Sequence, residues 1–188
     1  TMSFSLLTLD KSKNVIFLAV ICCLVIGFND SRGQTRIDSL LSDLSKARNE
    51  ELPALYMDLF VESLDSLPLA YEYATLASEK AAELGDSLNF LRAEDALGYI
   101  YTLRGEYDKA TRRYLVALQT ARNSNYVSRE KRELNFLGLI YYRQSRFDSA
   151  LRYHFQSLQL REEGGDAEEI SIATNNIGLI YYQLNDYD

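Results

Sequence analysis

Side chains that perform catalysis are few in this sequence. It has one histidine, His154, in the segment RYHFQSL, which lacks the acidic residue and proline that follow the phosphoacceptor of histidine kinases. A phosphate-binding G-x-x-x-x-G-K-[ST] loop, the zinc motif H-E-x-x-H and the nucleophile motif G-x-S-x-G are also missing. We therefore expect a packing role for His154 and predict that these residues are not an enzyme and hold no cofactor.

Acidic side chains supply one further candidate site. Five of them cluster around a predicted turn: Glu162, Glu163, Asp166, Glu168 and Glu169. Carboxylate oxygens are the ligands that hard cations prefer. Charged side chains in a turn usually face water, so we interpret the cluster as solvent-facing charge, with a weak cation site as the alternative and no metal centre predicted.

Charge limits the partners of the chain. The formal net charge is −7, and residues 1–33 carry three basic and two acidic side chains, so the remainder is more acidic still. An acidic chain lacks the electrostatic footprint of a nucleic-acid or anionic-membrane binder. We predict no nucleic-acid partner through this region.

The front of the chain resembles an export signal. Lys11 and Lys13 precede an apolar run of 14 residues, VIFLAVICCLVIGF, and polar NDSRGQT follows. This order is typical of a signal peptide, and Ser31 and Gly33 predict cleavage before Gln34. An uncleaved membrane anchor is the alternative, and a lipid anchor on a cysteine fits less well. Both cysteines lie in the apolar run, so the mature chain would contain neither a disulfide nor a thiolate zinc site.

The elements that position the remaining residues follow a repeat of forty. Gly98, Gly138 and Gly178 share one phase. Further sets at the same step are Tyr101, Tyr141 and Tyr181; Tyr107, Phe147 and Tyr187; Ala70, Ala110 and Ala150; and Gly85, Asn125 and Gly165. Apolar residues inside each unit recur at helical spacing. Each unit is therefore predicted to be a helix, a short turn and a second helix, and the last set is expected to end a helix in the left-handed conformation.

Small residues mark the predicted contact between the paired helices. Gly98 and Ala110 fall where the helices would approach most closely, and Gly138 repeats the first of them. We predict that Gly138→Leu costs about 1–3 kcal/mol by overpacking.

The pattern resembles the tetratricopeptide repeat. One unit matches that motif at Leu97, Gly98, Tyr101, Gly105, Tyr107, Ala110, Tyr114 and Ala117, and the next matches at Leu137, Gly138, Tyr141, Phe147 and Ala150. The departure is the period, forty residues instead of about 34, which is similar to the long repeats of kinesin light chain and of peptide-receptor regulators of Gram-positive bacteria. The resemblance implies an all-α fold, a right-handed superhelical solenoid of antiparallel helix pairs.

The repeat phase divides the chain into segments. Residues 1–33 are the signal peptide or membrane segment, and 34–50 form a capping helix, with RIDSLLSDLSKA (36–47) packing on the first repeat. The repeats are 51–90, 91–130, 131–170 and 171–188. The first is degenerate, with Asp58 at the glycine position and Pro68 opening its second helix. We expect the last to be truncated and to leave Ile177, Ile180 and Tyr181 uncovered.

The resemblance also implies a binding groove on the concave surface that the first helices line. Projected onto this sequence, that surface comprises Arg92, Asp95, Tyr99 and Thr102; Arg132, Asn135, Leu139, Tyr142 and Arg143; and Asn175, Leu179, Tyr182 and Gln183. In the similar long-repeat families, asparagines at the places of Asn135 and Asn175 pair with the backbone of a bound peptide. The alternative is that these side chains pack against the adjacent repeat.

The expected function is protein or peptide binding, with membrane association only through the N-terminal segment or a missing C-terminal helix. The resemblance suggests the extracytoplasmic sensory region of a longer bacterial signalling protein, exported to the periplasm or membrane of a Gram-negative cell. That reading leaves open a histidine kinase module elsewhere in the parent protein. A free-standing exported adaptor in envelope assembly and a peptide-receptor regulator are the alternatives.

Overall fold

The computed structural model describes residues 31–185, with side chains from 35 to 184, and this part of the chain is helical. Its α-helices are α1 (Ser31–Leu44), α2 (Leu52–Glu62), α3 (Leu67–Leu84), α4 (Ser87–Leu103), α5 (Tyr107–Asn123), α6 (Val127–Arg143), α7 (Phe147–Gly164) and α8 (Ala167–Asn185). A short 3-10 helix, Asn49–Glu51, joins α1 to α2. Consecutive helices pack on each other along the stack, so the predicted all-α architecture of helix pairs is confirmed.

The helices end where the repeat phase predicts. Gly85, Asn125 and Gly165 all have positive φ, between 55° and 71°. Glycine reaches this left-handed conformation without steric cost and asparagine tolerates it, so each can close a helix C-terminus. The turns inside the pairs also use it, at Gly105 and Ser145. The predicted break points are therefore confirmed.

Close approach of paired helices occurs at the predicted glycines. A Cβ added to Gly98 would lie 2.8 Å from ring atoms of Tyr114, and one added to Gly138 would lie 2.6 Å from the His154 ring. Both rings belong to the second helix of the same pair. Glycine is thus required because an aromatic or imidazole ring fills the space of its side chain.

The first and last helices of the stack differ from the sequence predictions in where α1 ends and in which residues of α8 are exposed. Helix α1 ends at Leu44, before the predicted Ala47, and its Leu40, Leu41 and Leu44 belong to the core cluster of the first pair. The prediction that Ile177, Ile180 and Tyr181 are uncovered is wrong for the two isoleucines, which are 7% and 1% exposed because α8 turns them toward the stack it packs against. It is confirmed for Tyr181, which is 48% exposed.

The degenerate pair keeps the predicted opening of its second helix. Helix α2 has only 11 residues, and Pro68 lies in the first turn of α3, where its missing N–H costs no hydrogen bond.

The predicted signal segment lies almost entirely outside the described residues. Among residues 31–185, no helix combines the length and apolar character needed to cross a membrane.

Candidate binding groove

A groove runs across the first helices of three successive pairs, α2, α4 and α6. One part encloses about 320 Å³. Its walls include Met57, Phe60 and Leu64 from α2 and its end, Arg92, Asp95, Ala96 and Tyr99 from α4, Arg129, Arg132 and Phe136 from α6, and Tyr114 from α5. Steps of three and four residues place each set on one helix face. The structure thus brings together four of the predicted site residues, Arg92, Asp95, Tyr99 and Arg132.

A second part of about 360 Å³ extends the groove toward the ends of α4 and α6. It shares Tyr99, Tyr114 and Phe136 with the first part, so the two parts adjoin at these residues. Thr102 and Leu139 line it, as does the predicted Arg143. The ring of Tyr99 is 46% exposed at the junction of the two parts and offers apolar area with a polar tip.

The other predicted residues lie outside both parts of the groove. The Oδ1 of Asn135 accepts a hydrogen bond of 2.7 Å from Nδ2 of Asn176, on α8. The ring of Tyr142 lies against Phe147, with centroids 5.9 Å apart. Asn175 and Tyr182 are exposed on α8. Asn135 therefore makes the contact with the adjacent repeat that was the alternative to a peptide-binding role.

Ion pairs organise the polar wall of the groove. Asp95 pairs with Arg132 of the next repeat, and Arg129 Nη1 lies 3.7 Å from the same carboxylate oxygen. The guanidinium of Arg132 also lies 5.8 Å from the centre of the Phe136 ring. Arg92 donates to Oδ1 of Asn89 at 3.0 Å. Guanidinium groups are therefore held at fixed places beside the apolar floor of the groove, which includes Met57, Phe60 and Phe136.

A buried carboxylate lies behind this wall. Glu133 is fully buried, and neither of its carboxylate oxygens has a hydrogen-bond partner among the described residues. Its nearest ion-pair partner is Arg132, whose Nε lies 3.5 Å from Oε1. Burial raises the pKa of Glu133 to about 7, with Arg132 and Arg129 opposing the shift. Burial also raises the pKa of the Tyr114 hydroxyl, to about 12.

Family comparisons agree with the repeat phase. Two sequence profiles of the tetratricopeptide repeat match the chain, one over residues 95–125 and one over residues 133–188. These residues are tetratricopeptide repeats. No curated protein sequence matches the chain.

Solved structures share the tetratricopeptide-like fold. BtubC (BKLC) from P. vanneervenii has 22% identity and a TM-score of 0.71, over 94% of this chain and 76% of that one. Aspartyl phosphate phosphatase F from Bacillus subtilis has 18% identity and a TM-score of 0.72, over 84% of this chain and 45% of that one. The apo form of RapI has 14% identity and a TM-score of 0.75, over 95% of this chain and 65% of that one. The chain thus spans less than two thirds of the last two proteins, and identities this low show the fold alone.

His154 serves the packing of the tetratricopeptide pair α6–α7. It is 2% exposed and its ring fills the space above Gly138. Burial and the nearby Arg161 lower its pKa to about 4, so the ring is neutral near pH 7. The expected packing role is confirmed.

One member of the acidic cluster at the inter-repeat turn, Asp166, caps the N-terminus of α8. Asp166 Oδ1 accepts hydrogen bonds from the backbone N–H groups of Glu168 and Glu169, as an N-cap does. Glu169 also accepts a 3.0 Å bond from Lys131 Nζ. In the part of the chain that the structure describes, no group of three such side chains is arranged around a metal position.

Sequence reasoning missed the floor of the groove. The residues of this floor include Met57 and Phe60, which lie on the degenerate helix α2. The repeat motif is lost there, with Asp58 at the position of the repeat glycines, so the period does not indicate which face of α2 points inward. Phe136 lies four residues after Arg132, and Arg129 lies three residues before it. Helical spacing from the predicted arginine would have found both.

Proposed function

We propose that these tetratricopeptide repeats bind a segment of a protein or peptide in the groove across α2, α4 and α6. The observation that carries this is the pair of adjoining cavities that form the groove, with exposed Tyr99 lining both and arginines along one wall. Tyrosine and arginine are the residues that dominate binding energy at protein interfaces. Repeat solenoids commonly bind through an extended concave surface.

The size of the groove suits a short stretch of peptide. Each part falls within or near the range of about 300–1,000 Å³ typical of ligand pockets. Side chains of a bound segment would enter the two parts on either side of Tyr99. An interface of this kind needs no catalytic group, and we assign none to the described residues.

The cellular setting is a finer proposal: the repeats are the extracytoplasmic recognition region of a longer bacterial signal-transduction protein. Its support is the apolar run Val15–Phe28 behind two lysines. A peptide-receptor regulator is the second candidate, favoured by the shared fold with RapI and aspartyl phosphate phosphatase F. An exported envelope adaptor is the third.

Two observations separate these settings. Fractionation of cells expressing the tagged protein should place it in the periplasm or membrane if the first proposal holds, and in the cytoplasm if the regulator proposal holds. The second observation is the sequence that follows residue 188. An apolar stretch of about 20 residues there supports the sensor.

Binding is tested by peptide display. Peptides selected on the wild-type chain should lose affinity for Tyr99→Ala at least tenfold, because this exposed side chain lines both parts of the groove. Phe155→Ala is the control, since Phe155 is equally exposed on the second helix α7. Equal binding by wild type and Tyr99→Ala, or selection of no peptide, would overturn the proposal.

The asparagine ladder is a separate proposal within this function. A peptide backbone would have to displace Asn176 from Asn135 to reach its amide oxygen. If the ladder operates, the double substitution of Asn135 and Asn175 by alanine weakens binding of the selected peptide. Unchanged affinity removes the ladder and leaves the groove proposal intact.

A further inference from the structure

Glu133 occupies a position that the two flanking repeats fill with alanine. The residues one repeat before and after it are Ala93 and Ala173, and all three are fully buried. A buried carboxylate without hydrogen bonds is far more costly than a methyl group. Packing of the repeat therefore does not require Glu133, and its side chain calls for another role.

Arg132 connects this carboxylate to the groove. Its Nη2 bonds to Asp95 at the groove wall, while its Nε lies 3.5 Å from Glu133 Oε1 and has no hydrogen-bond partner among the described residues. The Arg132 side chain is 39% exposed, so a ligand in the groove can reach it. One guanidinium thus faces the largely buried carboxylate of Asp95, the fully buried carboxylate of Glu133 and the ligand space.

The groove has the opposite charge to the chain as a whole. Arg92, Arg129 and Arg132 line its first part, together with the single carboxylate of Asp95. The chain itself has a net charge of −7. Three guanidinium groups gathered beside Tyr99 and Phe136 complement a segment that carries both carboxylates and apolar side chains.

Resting on the proposed function, we propose that the groove binds an acidic, apolar peptide segment and that Glu133 couples this binding to the uptake of a proton. A ligand carboxylate on Arg129 and Arg132 brings negative charge toward Glu133 and draws the Arg132 guanidinium away from it. Both effects favour the protonated form of Glu133. By linkage, protonation of Glu133 must favour binding to the same extent.

The direction in which affinity changes with pH follows from this linkage. The pKa of Glu133 is already raised to about 7 by burial. Binding raises it further, so affinity increases as the pH falls through this range. Glutamates of the ligand, with an ordinary pKa of about 4.3, stay ionised there.

The same helix and its neighbours carry other charged and titratable groups. Arg132 and Arg129, on the helix of Glu133, oppose the effect of burial on its pKa. On α5, Tyr114 is neutral in this range because burial raises its pKa to about 12, and on α7, His154 is neutral because its pKa is lowered to about 4. On α4, Asp95 accepts a hydrogen bond from Arg132, and on α8, Glu169 accepts one from Lys131.

Fluorescence anisotropy with the full chain tests the proposal between pH 5.5 and 8.5. The probes are labelled, amidated heptapeptide pools in which Leu, Phe and Tyr alternate with Glu, and matched pools with Gln or Lys in place of Glu. Wild type should bind the Glu pool about fivefold more tightly at pH 6 than at pH 8, the effect in this window of raising a pKa of about 7 by about one unit. Glu133→Gln and Glu133→Ala, the second restoring the residue of the neighbouring repeats, should bind it equally at both.

Each part of the proposal has its own contradictory result. Preference for the Gln or Lys pool over the Glu pool would overturn the acidic partner while leaving the groove function intact. Binding of the Glu pool without pH dependence, or with the same dependence in Glu133→Gln, would overturn the proton coupling. Failure of all pools to bind would count against the proposed function itself.

Discussion

Replacing Gly138 with alanine probes the packing that holds each helix pair together. The added Cβ would lie 2.6–2.7 Å from three atoms of the buried His154 ring. Real Cβ atoms do not approach other atoms so closely, so the ring or the helix must move. Gly178 supplies a matched control, because it has the same repeat phase and a Cβ there would meet nothing within 4 Å.

The magnitude comes from the difference between these two variants. Alanine is favoured over glycine inside a helix by about 1 kcal/mol, and this gain applies to both positions. Overpacking adds a cost of about 1–3 kcal/mol at Gly138 alone. We therefore expect Gly178→Ala to raise the free energy of unfolding by up to about 1 kcal/mol, and Gly138→Ala to fall about 1–3 kcal/mol below it.

Thermal unfolding of the full chain measures this difference. For a chain of this length, about 1 kcal/mol shifts the Tm by roughly 2–4 °C. Gly98→Ala should behave like Gly138→Ala, since its Cβ would meet the Tyr114 ring at 2.8 Å. Equal Tm shifts in Gly138→Ala and Gly178→Ala would refute the packing argument.

Three further predictions concern buried polar groups. Between pH 4.5 and 7 the folded chain holds a proton on Glu133 that the unfolded chain has lost, because burial raises this pKa from 4.5 to about 7, so the contribution of Glu133 to stability should fall with rising pH; the difference in stability between wild type and Glu133→Gln in denaturant titrations should show this fall of about 3 kcal/mol. Between pH 6.5 and 4 the unfolded chain protonates His154 first, so the contribution of His154 to stability should fall with decreasing pH, opposite in sign to that of Glu133; the difference between wild type and His154→Tyr, which copies Tyr114 of the preceding repeat, should show this fall of about 3 kcal/mol, and the same pH profile in both proteins would contradict the assignment. Asn176→Ala should cost about 1 kcal/mol in the same titration by breaking the bond to Asn135, whereas no loss would show that this bond contributes nothing.

The fold was predictable because its repeat contacts are local. Gly98 and Gly138 face a ring 16 residues later in the same helix pair, so one repeated offset specifies one repeated contact. Left-handed caps at Gly85, Asn125 and Gly165 depend on backbone conformation alone, which the residue type reveals directly.

Contacts between repeats were less predictable. The step of forty makes Asn135 and Asn175 equivalent and predicts a peptide-binding role for both, but it does not predict that the side chain of Asn176 donates a hydrogen bond to Asn135 across the repeats. The apolar groove wall from α2 was missed because that helix has lost the motif. Likewise, the burial of Ile180 depends on how α8 lies across the stack, which periodicity does not specify.

The central claim is that the face of the first helices, and not that of the second, is the binding surface. Hydrogen–deuterium exchange with and without a display-selected peptide tests it most directly. We predict added protection along α4 and α6 around Tyr99 and Phe136, with little change in α5 and α7 beyond the groove contact of Tyr114. Protection centred on the exposed faces of α5 and α7, with α4 and α6 unchanged, would contradict the account.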